Sequence, residues 1–167
     1  ANLKIDIEVI SKRPYSFYYW KTKALTSLIA GIVLGVINLV LLWPLGLSLT
    51  ILLKSLVILP LACIFGTILG FTSWSLSWQM SNPYFFANLV ISIITIVSGV
   101  LVLVSQYPKW LMIISYGFPF YEVVNFIKLN HTSLWMSCLN ALVWLLIGIV
   151  SYIVQIKPVL NNKIHQY

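Results

Sequence analysis

The sequence predicts an all-α, polytopic integral membrane protein with four transmembrane helices and a short interfacial or re-entrant helical segment before the last one. Two observations predict this fold class. Of the 167 residues, 60% are hydrophobic and 8% are charged, whereas soluble domains carry about 45–50% apolar and about 25% charged residues. The charges also separate long uncharged stretches, such as the thirty residues between Lys23 and Lys54. This composition excludes a cytosolic globular enzyme, a disordered tail and a secreted disulfide scaffold.

The first two predicted spans cover residues 21–43 and 51–74. Trp20 and Trp43 bracket the first span and are 23 residues apart, which corresponds to about 34 Å of helix. That length matches a hydrocarbon core of about 30 Å with one aromatic ring at each interface. In the second span, Lys54 must lie near the membrane surface, because a lysine at the bilayer centre costs about 2.5–3.5 kcal/mol.

The other two predicted spans cover residues 84–104 and 133–156, and a 28-residue connection, 105–132, lies between them. The apolar run in this connection is too short to cross the membrane, and its aromatic residues are too many for a loop in free water. We therefore expect one or two short helices that lie at the outer interface or dip into it, broken at Gly117 and Pro119.

The basic residues predict the orientation of the spans. Four spans place both termini on one side, where seven of the ten Lys and Arg residues lie. The three on the opposite side are Lys54, Lys109 and Lys128. By the positive-inside rule, segments 1–20 and 157–167 are cytoplasmic and the long connection is external. We thus expect a multi-pass protein of the cell (plasma) membrane, with one transmembrane domain over residues 1–167.

Side chains suited to catalysis or to holding a cofactor are almost absent. After Glu8 the sequence has one acidic residue, Glu122, so the predicted spans hold no carboxylate for a proton- or sodium-coupled relay. Cys63 and Cys138 both lie in apolar runs, and neither has another metal-binding residue at the spacing that a metal site requires. We expect no catalytic residue, no metal and no cofactor, and hence not an enzyme. The scattered basic residues form no face that could bind nucleic acid, so the expected surroundings are membrane lipid.

Two pairs of glycines at the spacing Gly-x-x-x-Gly indicate close helix packing. Gly31 and Gly35 lie in the first predicted span, and Gly66 and Gly70 lie in the second. This spacing lets a neighbouring backbone approach closely. Packing within one subunit and a seam between two subunits both explain it.

The segment before the first span is basic and aromatic. The residues of this segment that could contact a membrane surface or a partner are Lys12, Arg13, Pro14, Tyr15 and Phe17. A juxtamembrane anchor and a docking surface for a cytoplasmic partner both explain that composition. Ahead of it, residues 3–9 alternate apolar and charged side chains, which is a strand-like period with a helix as the alternative.

The sequence resembles the permease subunits of type-2 ATP-binding-cassette exporters. The resemblance lies in two segments, the one before the first span and the connection before the last span, which occur in the same order in that family. In that family, a cytoplasmic Ser/Pro turn and a following lysine lead into the third of six spans, and the fifth span ends in Ser-Gly. A Pro-Trp-Leu pattern and a proline–aromatic pair then precede the last span. The matching residues here, within a similarity over about residues 8–156, are Ser11–Ser16, Lys23, Ser98-Gly99, Pro108, Trp110-Leu111 and Pro119-Phe120.

The resemblance implies the permease part of an ATP-driven exporter. A separate ATP-binding-cassette ATPase would bind and hydrolyse ATP, and a second permease half, in a homo- or heterodimer, would complete the translocation path. The residues implied to couple to the ATPase are Lys12, Arg13, Pro14, Tyr15 and Phe17. Those implied to shape or gate the exit in the external loop are Gly99, Pro108, Trp110, Pro119 and Glu122. Because family members usually have two more spans in front, we expect this chain to be the C-terminal part of a longer permease, with a naturally short subunit as the alternative.

Two other functions remain open on the sequence. One is a small membrane-embedded substrate-binding subunit of an uptake transporter, and the other is a non-transporting membrane scaffold or immunity protein. A co-purifying ATPase would separate the two transport functions from a scaffold. The direction of transport would then separate an exporter from an uptake subunit.

Overall fold

The computed structural model describes residues 13–77, 80, 82, 84–100, 104–129 and 133–164, with side chains up to residue 157. Within these residues the regular secondary structure is entirely helical. The α-helices are α1 (Phe17–Leu42), α2 (Leu49–Ser77), α3 (Phe85–Val97), α4 (Lys109–Tyr116), α5 (Tyr121–Leu129) and α6 (Trp135–Ile164). Short 3₁₀ turns cover Trp43–Leu45 and Val104–Gln106. The predicted all-α class is confirmed. The strand-like alternation at residues 3–9 lies outside the described residues.

Three helical segments are long and apolar enough to cross a membrane. They are Phe17–Leu45, Leu49–Ser77 and Trp135–Lys157, with 29, 29 and 23 residues, compared with the roughly 20 that a span needs. A fourth crossing is counted if α4 and α5, which are bent by 103° at their break, are one broken or re-entrant span. The chain is therefore a polytopic all-α membrane protein.

The helix α3 is shorter than the predicted third span, residues 84–104. Its 13 residues rise by about 20 Å, less than the hydrocarbon thickness of about 30 Å. The helix ends at Val97, and Gly99 has a φ of 82°, a left-handed conformation that glycine adopts without steric cost. The apolar composition continues to Val104, but apolar residues signal burial rather than helical conformation, which is why the sequence placed the end too late.

The helix α2 lies at the centre of the bundle and contacts α1, α3, α5 and α6. Its buried residue Phe65 packs in one cluster with Val123 of α5 and Ala141 of α6. Its buried residue Leu69 packs in a second cluster with Val90 of α3. By contrast, α1 has no buried residue, so it lies on the side of the bundle and presents most of its surface outward.

The first glycine pair lies in the contact between α1 and α2. A Cβ atom on Gly31 would lie 3.2 Å from Cys63 Sγ, and one on Gly35 would lie 2.5 Å from Leu59 Cδ1. Both distances are shorter than ordinary van der Waals contact, so a larger residue at either position would require Cys63 or Leu59 to shift. The pair therefore packs within the subunit, which is the first of the two interpretations offered by the sequence.

The second glycine pair has a different setting. Gly66 and Gly70 are both exposed, and a Cβ atom on either one would meet nothing within 4 Å. They contact no neighbouring helix among the described residues. Of the two, Gly70 borders the open space between α1 and α6.

The closest approach between α2 and α6 occurs at Gly148, which the sequence did not single out. A Cβ atom there would lie 2.8 Å from Thr72 Oγ1 and 2.9 Å from Phe71 Cδ1. The Thr72 hydroxyl also lies 2.8 Å from the carbonyl oxygen of Trp144 and 3.0 Å from that of Ile68. The Thr72 hydroxyl can reach the Trp144 carbonyl of α6 because the residue beside it, Gly148, has no side chain. Gly148 therefore allows the short distance between α2 and α6.

The predicted orientation can be tested by cysteine labelling in a variant whose Cys63 and Cys138 are replaced by serine. We expect Lys109→Cys, at the exposed start of α4, to react with a membrane-impermeant maleimide in intact cells. We expect Lys163→Cys to react only after the membrane is opened. The excess of basic residues near the termini is the physical reason, and the reverse labelling pattern would show the opposite orientation.

Candidate functional site

The bent helix pair α4–α5 is inserted into the bundle rather than lying free in solvent. At the turn between the two helices, Phe118 and Pro119 are buried. The Phe118 ring stacks on Trp144 of α6 with ring centroids 5.3 Å apart, and Phe120 meets Phe65 of α2 edge to face at 6.4 Å. This confirms the predicted short helical segment before the last span, with its break at residues 117–120.

Side chains of α6 bind the carbonyl groups that the break leaves without helical partners. Asn140 Nδ2 donates to the carbonyl oxygen of Tyr116, and Trp144 Nε1 donates to that of Gly117 at 2.9 Å. In the membrane core there is no water to replace such bonds, and each unpaired backbone group costs several kcal/mol. The two α6 side chains therefore satisfy carbonyl groups that the break leaves open.

The lysine of α5 fulfils the same role at the end of α3. Lys128 Nζ donates to the carbonyl oxygens of Gly99 and Val100 at 2.8 and 3.0 Å, and Ser115 Oγ donates to that of Val97. A cation is favoured near the C-terminal end of a helix, where the carbonyl groups are unpaired. From the sequence, Lys128 served only to predict on which side of the membrane the connection lies. In the structure it ties α5 to the segment that follows α3.

Glu122 joins the helix pair to the last span. Its side chain is 9% exposed, and its Oε2 accepts a hydrogen bond of 2.9 Å from the backbone N–H of Ser137. Ser137 lies in the first turn of α6, where N–H groups have no partner within the helix and a carboxylate is favoured. Glu122 therefore caps the N-terminus of α6 from a neighbouring helix.

The remaining residues predicted for the external loop have separate positions. Pro108 is the residue before α4 and has an extended conformation with φ −60° and ψ 150°. Trp110 is 63% exposed, which suits an aromatic residue at a membrane interface. Pro119 and Glu122 are buried in the bundle. Gly99 is also buried, so the five predicted loop residues divide into two on the surface and three in the interior.

At the opposite end of the bundle, Trp20 of α1 contacts three aromatic residues of α2 and α6. The ring centroid of Trp20 lies 5.4 Å from Phe71, 5.4 Å from Trp74 and 5.1 Å from Tyr152. Their edge-to-face geometry is the favourable one for aromatic pairs. We call these four residues the aromatic cluster. Sequence reasoning used Trp20 only as a marker of the interface, and the signal it missed was the presence of aromatic residues at the same end of three spans.

The aromatic cluster holds the turn that precedes α1. Tyr152 OH donates to the carbonyl oxygen of Pro14 at 2.6 Å, and Trp20 Nε1 donates to the same oxygen at 3.4 Å. Ser16 Oγ accepts from the backbone N–H of Tyr19 at 3.4 Å and so caps α1. The backbone of the turn is therefore attached to both α1 and α6.

The side chains beside Pro14 are largely exposed, and two of them, Tyr15 and Phe17, border the same open space as Trp20 and Tyr152. Arg13 is exposed, Tyr15 is 65% exposed and Phe17 is 79% exposed. The fifth residue predicted to couple to an ATPase, Lys12, lies outside the described residues. The structure thus combines a fixed backbone with exposed side chains, an arrangement that could serve either anchoring in the membrane surface or docking of a partner.

Among the described residues, no group of three or more His, Cys, Asp and Glu side chains could hold a metal ion. His131 and His165 lie outside those residues.

No protein-family model, characterised protein or solved structure matches the chain significantly. The resemblance to permeases of ATP-binding-cassette exporters therefore stays a prediction from the short sequence motifs.

Proposed function

We propose that this chain is the membrane-spanning permease part of an ATP-driven exporter, which forms a translocation path with a second permease half and is driven by a separate ATP-binding-cassette ATPase. The observation that supports this proposal most directly is the double attachment of the Pro14 carbonyl to Trp20 and Tyr152. Force applied to this turn by a partner would reach both α1 and α6. A simple juxtamembrane anchor would not require a bond to the last helix.

The helix α6 provides a rigid connection between the two ends of the bundle. Near its start, the N–H of Ser137 binds Glu122 of the bent pair, and near its end Tyr152 binds Pro14. These two α6 residues are separated by about 22 Å of helix. A displacement of the Pro14 turn would therefore be transmitted along α6 to the helix pair at the predicted external side. Under this proposal, Arg13 and Tyr15 receive the partner and Glu122 couples α6 to the exit.

The proposal is tested by replacing Arg13 and Tyr15 together with alanine in the protein purified from native membranes. Exposed Arg and Tyr residues that serve as interface anchors each contribute about 2 kcal/mol or more. We expect the double variant to insert normally but to lose at least tenfold in co-purifying, vanadate-sensitive ATPase activity. The matched control is Tyr84→Ala, because Tyr84 is also 65% exposed but precedes α3. This control should retain the activity.

Three outcomes would contradict the proposal: no ATPase accompanies the unaltered chain, the double variant keeps full activity, or the double variant fails to insert. The first would favour a membrane scaffold or immunity protein. The direction of ATP-dependent transport in inverted vesicles then separates the two transport functions. Uptake into such vesicles corresponds to export from the cell, whereas release from them would indicate an uptake subunit.

A further inference from the structure

An open cleft of about 810 Å³ lies between α1 and α6, with α2 as its floor. Trp20, Trp74 and Tyr152 of the aromatic cluster line its mouth, and most of the other lining residues are aliphatic or aromatic. At the other end, Ser27 Oγ and Thr67 Oγ1 lie 3.4 Å apart and join α1 to α2. The cleft therefore has a wide aromatic mouth and a closed inner end.

The divergence of α1 from α2 explains where the cleft begins. The two helices touch at Gly31 and Cys63, where a Cβ atom on the glycine would be 3.2 Å from the sulfur. Further toward the mouth, Gly70 lines the cleft, and a Cβ atom on it would meet nothing within 4 Å. The missing side chain at Gly70 leaves the floor open.

The depth of the cleft corresponds to one leaflet of a bilayer. On α6 its lining runs from Leu145 to Ile153, which is about 12 Å of helix. Half of a hydrocarbon core is about 15 Å. The mouth carries the aromatic residues that favour the membrane interface. A ligand in this cleft would therefore lie parallel to the acyl chains of one leaflet, with its polar end at the interface.

A lysine side chain lies at the mouth. Lys23 lines the cleft, with its Nζ 5.7 Å from the centroid of the Tyr19 ring, whereas Lys21, two residues earlier on α1, is exposed and does not line it. Within the described residues the single carboxylate side chain is Glu122, which binds α6 near its opposite end. Lys23 thus places a cationic side chain at the mouth, which suits an anionic group.

We propose that this cleft binds one phospholipid with an anionic headgroup from the adjacent leaflet. The acyl chain lies between α1 and α6 on the floor opened by Gly70, and the headgroup phosphate lies at Lys23. The volume is within the range of about 300–1,000 Å³ that is typical of ligand sites. The mainly apolar lining selects a lipid tail over a water-soluble anion. This site does not depend on the proposed transport function.

Native mass spectrometry tests the tail site by titrating palmitoyl-oleoyl phosphatidylglycerol and phosphatidylcholine into the detergent-purified full chain. We expect Gly70→Phe to fill the floor and to weaken binding of phosphatidylglycerol at least tenfold. The matched control is Gly66→Phe, one turn away on the same helix with the same open surroundings, and it should stay within twofold. Equal effects of the two substitutions would overturn the proposal.

A second pair of variants tests the headgroup site even if Gly70→Phe does not fold. We expect Lys23→Ala to reduce the preference for phosphatidylglycerol over phosphatidylcholine about fivefold, the effect of one charge near an anionic headgroup. Lys21→Ala, which leaves the cleft lining unchanged, should stay within twofold. Equal binding of both lipids by the unaltered chain, or equal loss from both lysine variants, would contradict the proposal. If Gly70→Phe abolishes a dimer instead of a lipid adduct, the occupant is a second copy of the chain and the proposal is wrong.

Discussion

Replacing Glu122 with leucine is expected to lower the free energy of unfolding by about 2–3 kcal/mol. The leucine keeps most of the side-chain volume but removes the acceptor for the N–H of Ser137. That N–H is then buried without a partner, and the negative charge at the start of α6 is lost. Unfolding in mixed micelles with increasing dodecyl sulfate, followed by tryptophan fluorescence, measures the change.

The matched control for this prediction is Glu122→Gln, which retains an acceptor oxygen at the same position. It should cost less than about 1 kcal/mol, because the hydrogen bond persists and only the charge is removed. Since Arg13 and Tyr15 belong to the other end of the bundle, the leucine variant should still associate with an ATPase. A stability of Glu122→Leu within about 0.5 kcal/mol of the unaltered protein would show that the cap contributes nothing.

Replacing Gly148 with valine is expected to destabilise the protein by about 3 kcal/mol, near the upper end of the range for overpacked cores. The new Cβ atom would lie 2.8 Å from Thr72 Oγ1 and 2.9 Å from Phe71 Cδ1, so α2 and α6 must separate. The separation also breaks the bond from Thr72 to the Trp144 carbonyl. The same unfolding measurement in mixed micelles applies.

The control for the Gly148 prediction is Gly66→Val on α2. A Cβ atom at Gly66 would meet nothing within 4 Å, so this change should alter the free energy of unfolding by less than about 0.5 kcal/mol. Both substitutions place a β-branched residue in an apolar helix, and they differ in what the side chain meets. If the two variants were equally stable, the close approach of α2 and α6 at Gly148 would be refuted.

Hydropathy and charge spacing were sufficient to predict the long helices. The predicted spans 21–43 and 51–74 lie within the segments 17–45 and 49–77, and the predicted span 133–156 differs from the segment 135–157 by two residues at its start and one at its end. The physical reason is that a backbone in lipid must satisfy its hydrogen bonds internally, so a long apolar run has few alternatives to a helix. The short helices before the last span followed from the same rule, because their apolar runs are too short to cross.

Side-chain partners could not be predicted from hydropathy. Glu122 was included among the residues of the predicted external loop, but its bond to Ser137 depends on how α5 meets α6. Likewise, a Gly-x-x-x-Gly spacing is the same whether it faces a helix of the same chain or open space. Gly31 faces Cys63, whereas Gly70 faces the cleft, and one-dimensional spacing cannot distinguish these environments.

Composition and charge thus establish a helical membrane protein, the approximate limits of three of its spans and a broken segment before the last one, since each of these follows from the local preference of residues for lipid or water. The packing of distant segments establishes the end of α3 at Val97, the attachment of Pro14 to Tyr152, the cap at Glu122 and the cleft beside Gly70. These features arise because an unpaired polar group or a bulky side chain is costly only in relation to a neighbour that the chain brings from far away.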